Sequence, residues 1–303
     1  MTPQRYRVPV DGGELAVARW GDRGPVVVAA HGITASHVSW AIVGDQVCNE
    51  LTLIAPDLRG RGDSGQLPGP YGMAQHARDL LAVADHAGAP EVVVAGHSMG
   101  GFVATVFATM FPERTAGVVL VDGGPAIGKP PPEGTDIDVV LQAVIGPGID
   151  RLRRTFASRE EYRAFWRAHP AFANTGADAE RLAAYADHDL AGPEGAMRSK
   201  VSIDAVRADG RDTLMNDALR SAVGEIDVPA VLLLAERGMR NEETPLFPAD
   251  AVSALRTRRG PLETIRVPAT NHYTLTLSEP GARAVAYQLR RLAEVAVTES
   301  RGA

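Results

Sequence analysis

A single cysteine in 303 residues excludes an internal disulfide, so Cys48 leaves the redox compartment unconstrained and cytoplasm is the expected location. Basic charge is not in excess. Against 37 Asp and Glu stand 31 Lys and Arg, a net charge of −6 that repels phosphate backbones, and no nucleic-acid partner is expected. Long hydrophobic runs are missing as well: blocks such as Val26 to Ala30 and Val92 to Ala95 fall far below the roughly 20 residues that cross a bilayer. The polar start Met1-Thr2-Pro3-Gln4-Arg5 offers no signal-peptide core, and no membrane partner is expected. Aromatic residues make up only 5%, yet 45% of the chain is apolar, which suffices for a full core without disulfide or metal. Dispersed glycines and prolines exclude collagen-like and low-complexity classes. One large domain, or one domain carrying an insertion, is the expectation, as monomer or homo-oligomer.

Short β-branched runs bounded by Gly, Pro or Asp recur at Val26 to Ala30, Leu51 to Ala55, Glu91 to Ala95 and Val118 to Val121. They read as buried parallel strands. Helix-like stretches lie between them, Met73 to Ala87 and Phe102 to Phe111, the second stopped by Pro112. This alternation predicts an α/β fold, a mostly parallel sheet covered by helices on both faces. After Gly123-Gly124-Pro125 the composition changes. A stiff Pro130-Pro131-Pro132 connector leads into an Arg-rich helical stretch, where Ser158 and Glu161 form a capping-box pattern and Tyr162, Phe165, Trp166 and His169 share one helix face. Strand patterns resume at Ala230 to Ala235 and Leu262 to Val267, and a last helix opens at Ser278-Glu279-Pro280. Residues 1–127 and 225–303 read as one core, with 128–224 a helical insertion placed to cover a crevice at the carboxyl edge of the sheet.

The strongest signal is Gly96-His97-Ser98-Met99-Gly100-Gly101, where a buried strand runs into Gly-x-Ser-x-Gly and then a helix. Such a turn lifts the serine hydroxyl off the sheet and demands small residues two before and two after it, which Gly96 and Gly100 supply. The helix behind adds amide donors and a positive dipole end. With these residues the chain resembles the α/β-hydrolase superfamily, in its serine-nucleophile, capped branch. His31-Gly32, Asp57-Leu58-Arg59-Gly60-Arg61-Gly62-Asp63-Ser64 and Asn271-His272-Tyr273 extend the resemblance over nearly the whole length. It implies the α/β-hydrolase fold with an inserted helical cap. Because Ser98 stands where epoxide- and halide-processing members carry a carboxylate, it also implies acyl transfer to a serine, then hydrolysis.

The resemblance further implies an oxyanion hole made by the amides of Ile33 and Met99. A serine hydroxyl needs a base, and an acid must fix that base's tautomer. His272, after the last strand, takes the base position in the order serine, acid, histidine. The acid stays open. Most serine members carry it after the penultimate strand, where this chain reads Glu236 to Glu243, with Asn241 at the natural Asp place and Glu242 or Glu236 as candidates. Others carry it at the end of the strand after the elbow, where Asp122 stands, and Asp122 is favoured.

The expected activity is cleavage of a carboxylic ester or lactone through an acyl-enzyme, with no cofactor and no metal. Tyr162, Phe165, Trp166 and Met197, with Phe156, are expected either to line an apolar substrate pocket or to glue the cap to the core. Two alternatives share the motifs: hydrolysis of carbon-carbon bonds in diketone-like acids, and a non-catalytic ligand receptor. Four lesser signals are discounted. Arg61-Gly62-Asp63 spells an adhesion tripeptide inside a loop the resemblance already explains, and Asp187-His188-Asp189 cannot converge on one ion from a helix. Cys48 reads as a small buried residue, and Arg151-Leu152-Arg153-Arg154 as a solvated helix face.

Overall fold

The computed structural model describes residues 1–302 apart from 174 and 176, with the side chains of residues 147 and 296–302 outside that description. Eight strands build the main sheet: β1 (Gln4–Val10), β2 (Gly13–Trp20), β3 (Val26–Ala30), β4 (Thr52–Pro56), β5 (Val92–His97), β6 (Thr115–Val121), β7 (Ala230–Ala235) and β8 (Glu263–Val267). Their spatial order is β1-β2-β4-β3-β5-β6-β7-β8. The pairs β1·β2 and β2·β4 are antiparallel and the rest parallel. The β1–β2 hairpin is the piece that the sequence reading passes over. Its first strand is mostly exposed and carries Arg5 and Arg7, so the only signal is the Asp11-Gly12 turn, where Gly12 takes φ 85°.

Strand residues alternate between two cores because successive side chains leave opposite faces of a pleated sheet. Val28, Val94, Leu120 and Leu232 pack on α2 (Met73–His86) and α3 (Met99–Met110) through Leu80, Val83, Val103 and Phe107. Val27, Val93, Val119 and Leu233 pack on α1 (Ala41–Val47) and, through Val285 and Leu289, on the C-terminal helix. Each such fully buried Val or Leu is worth about 1.5–3 kcal/mol.

The chain leaves the sheet after Val121 and returns at Ala230. Between them lie α4 (Ile137–Ile145), α5 (Arg159–Ala168), α6 (Ala179–Asp189) and α7 (Ile203–Met215); the C-terminal helix is α8 (Glu279–Gly302). Ser158 Oγ accepts from Glu161 N at 3.1 Å, while the Glu161 carboxylate reaches back to Ala157 N, one residue earlier than a standard capping box. Phe156, Tyr162, Trp166, Leu182, Tyr185 and Met197 form an apolar, largely aromatic cluster that also takes in Val38 and Leu277 of the core. Among the described residues no helix is long and apolar enough to cross a membrane.

Candidate active site

Since β5 ends at His97 and α3 starts at Met99, Ser98 alone reverses the chain. It does so at φ 57° and ψ −123°, a conformation that costs a non-glycine residue of order 1–3 kcal/mol and persists only where the surroundings impose it. Those surroundings are backbone. A Cβ on Gly96 would lie 1.9 Å from Gly100 O, one on Gly100 2.1 Å from Ala30 O, and one on Gly123 2.1 Å from Ser98 O. Gly123 lies outside the elbow motif, 25 residues from Ser98, so nothing local in the sequence marks it as a third such constraint.

His272 follows β8, and its Nδ1 lies 2.8 Å from Asp122 Oδ2, both side chains buried. Asp122 directly follows β6, and its second oxygen accepts from Ala235 N at 3.1 Å, which fixes the carboxylate plane. Ser98 and His272 line the same two cavities. Residue 97 adds a brace absent from the sequence reading: His97 Nε2 is 2.8 Å from His272 O. Burial, then the nearby His272, drives the His97 pKa down to about 3, so the ring is neutral and its Nε2–H donates to that carbonyl. The other two carboxylates are engaged elsewhere. Glu236 accepts from Ala269 N at 2.8 Å, and Glu242 accepts from Arg240 N at 2.7 Å and Arg240 Nε at 2.9 Å.

The Gly32–Ile33 peptide is held from its carbonyl side. Gly32 O accepts from Ala35 N at 3.0 Å and from His31 Nδ1 at 2.8 Å, so the Ile33 amide points the opposite way across a trans peptide. His31 is buried and its pKa is pushed down to about 3, which keeps Nε2 free to accept from Leu58 N at 2.9 Å. Ile33 and Met99 line the larger cavity with Ser98, and among the described residues no hydrogen bond takes up either amide.

That cavity has about 220 Å³ and apolar walls: Ile33 and Phe102 from the core, Leu141 and Ile145 from α4, Leu214 from α7, and Met239. A compartment of about 30 Å³ reaches the same Ser98 on the side of Gly32, Tyr185 and Leu277. Tyr162, Phe165, Trp166 and Met197 line neither, which corrects their reading as pocket residues. Edge-to-face packing draws them together instead, Phe156 against Tyr162 at 4.7 Å between centroids and Trp166 against Tyr185 at 5.1 Å. The α4 wall of the pocket corresponds to another pattern in the sequence, Leu141, Val144 and Ile145 at helical spacing. A larger surface groove of about 520 Å³, at Tyr71, Arg78 and Arg211, shares none of these residues.

Charged residues of the insertion are also placed differently from the sequence reading. Arg151, expected on a solvated face, is fully buried: Nη2 donates to Thr34 O at 2.5 Å, Nη1 is 3.3 Å from Asp189 Oδ2, and the guanidinium lies 5.1 Å from the Trp166 ring centre. Arg61 is buried too, as is Gly62, so of the Arg61-Gly62-Asp63 tripeptide the exposed member is Asp63, which pairs with Lys200 at 2.6 Å. Arg61 Nε donates to Ile33 O at 2.9 Å and its Nη1 pairs with Asp209 Oδ2 at 2.5 Å. Asp209, on α7, also meets His76 Nε2 at 3.0 Å. Asp187, His188 and Asp189 diverge, the first to Arg163 and the third to Arg151 and Ser199. His188 Nε2 reaches Asp57 Oδ2 at 2.7 Å, and His37 Nδ1 reaches Asp57 Oδ1 at 2.8 Å, which gathers three metal-type ligands within 4.8 Å. Both Asp57 oxygens are already filled, since His37 N and Asp63 N donate to them at 2.8 Å. Cys48 is half-buried.

An eight-stranded, mostly parallel sheet with a serine on a strand-to-helix elbow defines a hydrolase-type α/β architecture. The alpha/beta hydrolase fold family matches residues 25–276, and the chain belongs to that family. It is similar to the 2-(acetamidomethylene)succinate hydrolase of Mesorhizobium japonicum, 25% identical over 270 residues and 89% of each chain. The crystal structure of an E-2-(acetamidomethylene)succinate hydrolase superposes with a TM-score of 0.77 at 22% identity, over 94% of this chain and 98% of that one. An uncharacterized protein of Mycobacterium tuberculosis is 38% identical over 104 residues, a match spanning 33% of this chain and 30% of that relative's length.

Proposed function

We propose that the chain is a serine hydrolase of carboxylic esters, lactones included, working through an acyl-enzyme. Ser98 Oγ attacks the carbonyl carbon while His272 Nε2 takes the hydroxyl proton. Asp122 accepts from Nδ1–H, holds that tautomer and stabilises the imidazolium. The amides of Ile33 and Met99 receive the oxyanion, and each such donor is worth on the order of 10²–10³ in rate. Collapse expels the alcohol, which takes its proton from His272. Water, deprotonated by the same nitrogen, then releases the acid and regenerates Ser98.

The observation that carries this reading is the 2.8 Å contact of His272 Nδ1 with Asp122 Oδ2 at a cavity that Ser98 shares. Residues 128–224 act in it as a cap, with α4 and α7 closing the cavity over Ser98. The apolar lining supports a hydrophobic acyl or alcohol group of modest size. One residue favours a second reading. Arg220 is the cationic side chain on that lining among the described residues, which supports a substrate bearing an acid group, as the carbon-carbon hydrolase alternative requires.

Stopped-flow hydrolysis of nitrophenyl esters of graded acyl length tests the main reading. Wild type is expected to release a burst of one nitrophenol per chain, and Ser98→Ala to lose the burst and on the order of 10⁶ in kcat. Undiminished turnover by Ser98→Ala would sink it. Faster cleavage of esters whose acyl chain ends in a carboxylate would favour the second reading.

A further inference from the structure

We propose that Arg151, from the insertion, is a positioning residue for the oxyanion hole, acting through a relay of two peptide groups; the inference rests on the acyl-transfer reading above. The relay can be followed atom by atom. Arg151 Nη2 donates to Thr34 O at 2.5 Å. The Thr34 carbonyl shares its peptide with Ala35 N, which donates to Gly32 O at 3.0 Å. The Gly32 carbonyl shares its peptide with the Ile33 amide, which faces the cavity with no other acceptor among the described residues.

A permanent positive charge therefore stands at the tail of two peptide dipoles whose head is the donor offered to the oxyanion. Hydrogen-bonded groups in series polarise one another, and they do so more strongly away from water. Arginine cannot shed its charge, so the polarisation is constant over the working pH range. The guanidinium also restrains the loop mechanically, because a shift of Thr34 O would rotate the peptides behind it.

The contacts of Arg151 argue against a purely structural ion pair. A guanidinium built for stability alone would face its carboxylate as a two-pronged fork. Here the approach to Asp189 is single and longer, 3.3 Å, with Nη1 also 3.3 Å from Ser199 Oγ, the shorter contact goes to the loop carbonyl, and Nε is buried without a partner among the described residues. Asp189 is taken up in addition by Tyr162 and Ser199, so it anchors the guanidinium to the insertion while the fork's other arm serves the loop. In this way Arg151 acts on the reacting centre without lining the cavity.

The experiment compares wild type with Arg151→Lys and with the double variant Arg151→Met/Asp189→Asn, which removes both partners so that no buried charge is left unpaired. Readouts are kcat and KM for nitrophenyl butyrate, and the Kd of an alkyl boronic acid that becomes a tetrahedral anion on Ser98. The double variant is expected to lose about ten- to hundredfold in kcat, part of what a whole oxyanion donor is worth, with KM within twofold and boronate affinity weakened by the same factor as kcat. Arg151→Lys, with one ammonium for the three partners Thr34 O, Asp189 and Ser199, falls between wild type and the double variant in both readouts. A kcat within twofold of wild type in the double variant, an Arg151→Lys that loses more than the double variant, or a kcat loss without the matching loss of boronate affinity overturns the proposal. Wild type that hydrolyses none of the esters overturns the acyl-transfer reading and this inference with it, a result distinct from ester turnover indifferent to Arg151.

Discussion

Where the core presents Ser98, His272 and Asp122, backbone sterics and strand register do the holding; where residues 128–224 approach the same loops, buried charges act beside an apolar cluster that takes in Val38 and Leu277. Ser98 is trapped because Gly96, Gly100 and Gly123 leave no room for a Cβ, and Asp122 is aimed by an amide of the neighbouring strand β7. The insertion is joined to the core through Asp209 with Arg61 and His76, through His188 with Asp57, and through Arg151 with Thr34. The difference teaches how each part will fail. Apolar packing degrades by increments, whereas a buried ion pair that loses one partner leaves an uncompensated charge.

The largest expected effect tests the core's half of the comparison. Asp122→Asn should lower kcat on nitrophenyl esters by on the order of 10⁴, with Glu242→Gln and Glu236→Gln staying within a few-fold of wild type. The reverse ranking would move the acid to the loop after β7. The insertion's half is tested by urea unfolding of Asp209→Ala, which strips the partner from Arg61 and His76 and should cost about 3–5 kcal/mol. Glu160→Ala, removing an exposed pair with Arg167 at 2.5 Å, should cost less than about 1 kcal/mol. Equal losses would erase the distinction.

Leu214→Trp sharpens the same contrast from the cavity side. Filling the α7 wall should shift the preferred acyl length downward, with discrimination on the order of tenfold per methylene pair, and leave the rate on acetate esters nearly intact. An unchanged length profile would mean that the insertion does not shape the pocket.

Acid should erode the core through its neutral histidines. His31 and His97 are held near pKa 3 by burial, below the unfolded value of about 6.5, so the unfolded chain binds protons that the folded chain refuses. Stability is intact above pH 6.5. It then falls by about 1.4 kcal/mol per pH unit for each of the two histidines as the pH drops towards 3. Unfolding curves at pH 7, 6, 5 and 4 check the slope, and a slope in His97→Asn equal to that of wild type would show that His97 contributes nothing to it.

Legibility in the sequence tracked how local each feature is. The elbow needs only six consecutive residues, and β3 and β7 were readable because doubly covered strands are continuous apolar runs. Helix α3 begins at Met99, three residues earlier than its apolar run indicates, because the elbow glycines are already helical. The acid remained open between Asp122 and the Glu236 to Glu243 loop, since the deciding quantity is which carboxylate the β6–β7 register carries to His272. The sequence alone puts Arg151 on the surface, because nothing in Arg-Leu-Arg-Arg shows that Asp189 and Thr34 close around one member and leave Arg153 and Arg154 exposed. The aromatic helix face of α5 was equally ambiguous, as the same spacing suits a pocket wall and a sealed cluster.

By itself the sequence determined the α/β layering, the sharp bend at position 98 and the histidine at 272, because strand burial, glycine's missing Cβ and motif order act within a few residues of chain. Only the tertiary structure decided which carboxylate meets that histidine, which helix faces wall the cavity, and which arginines leave the surface. Those outcomes depend on partners dozens of residues apart, whose charges and shapes are matched only once the insertion has docked on the sheet.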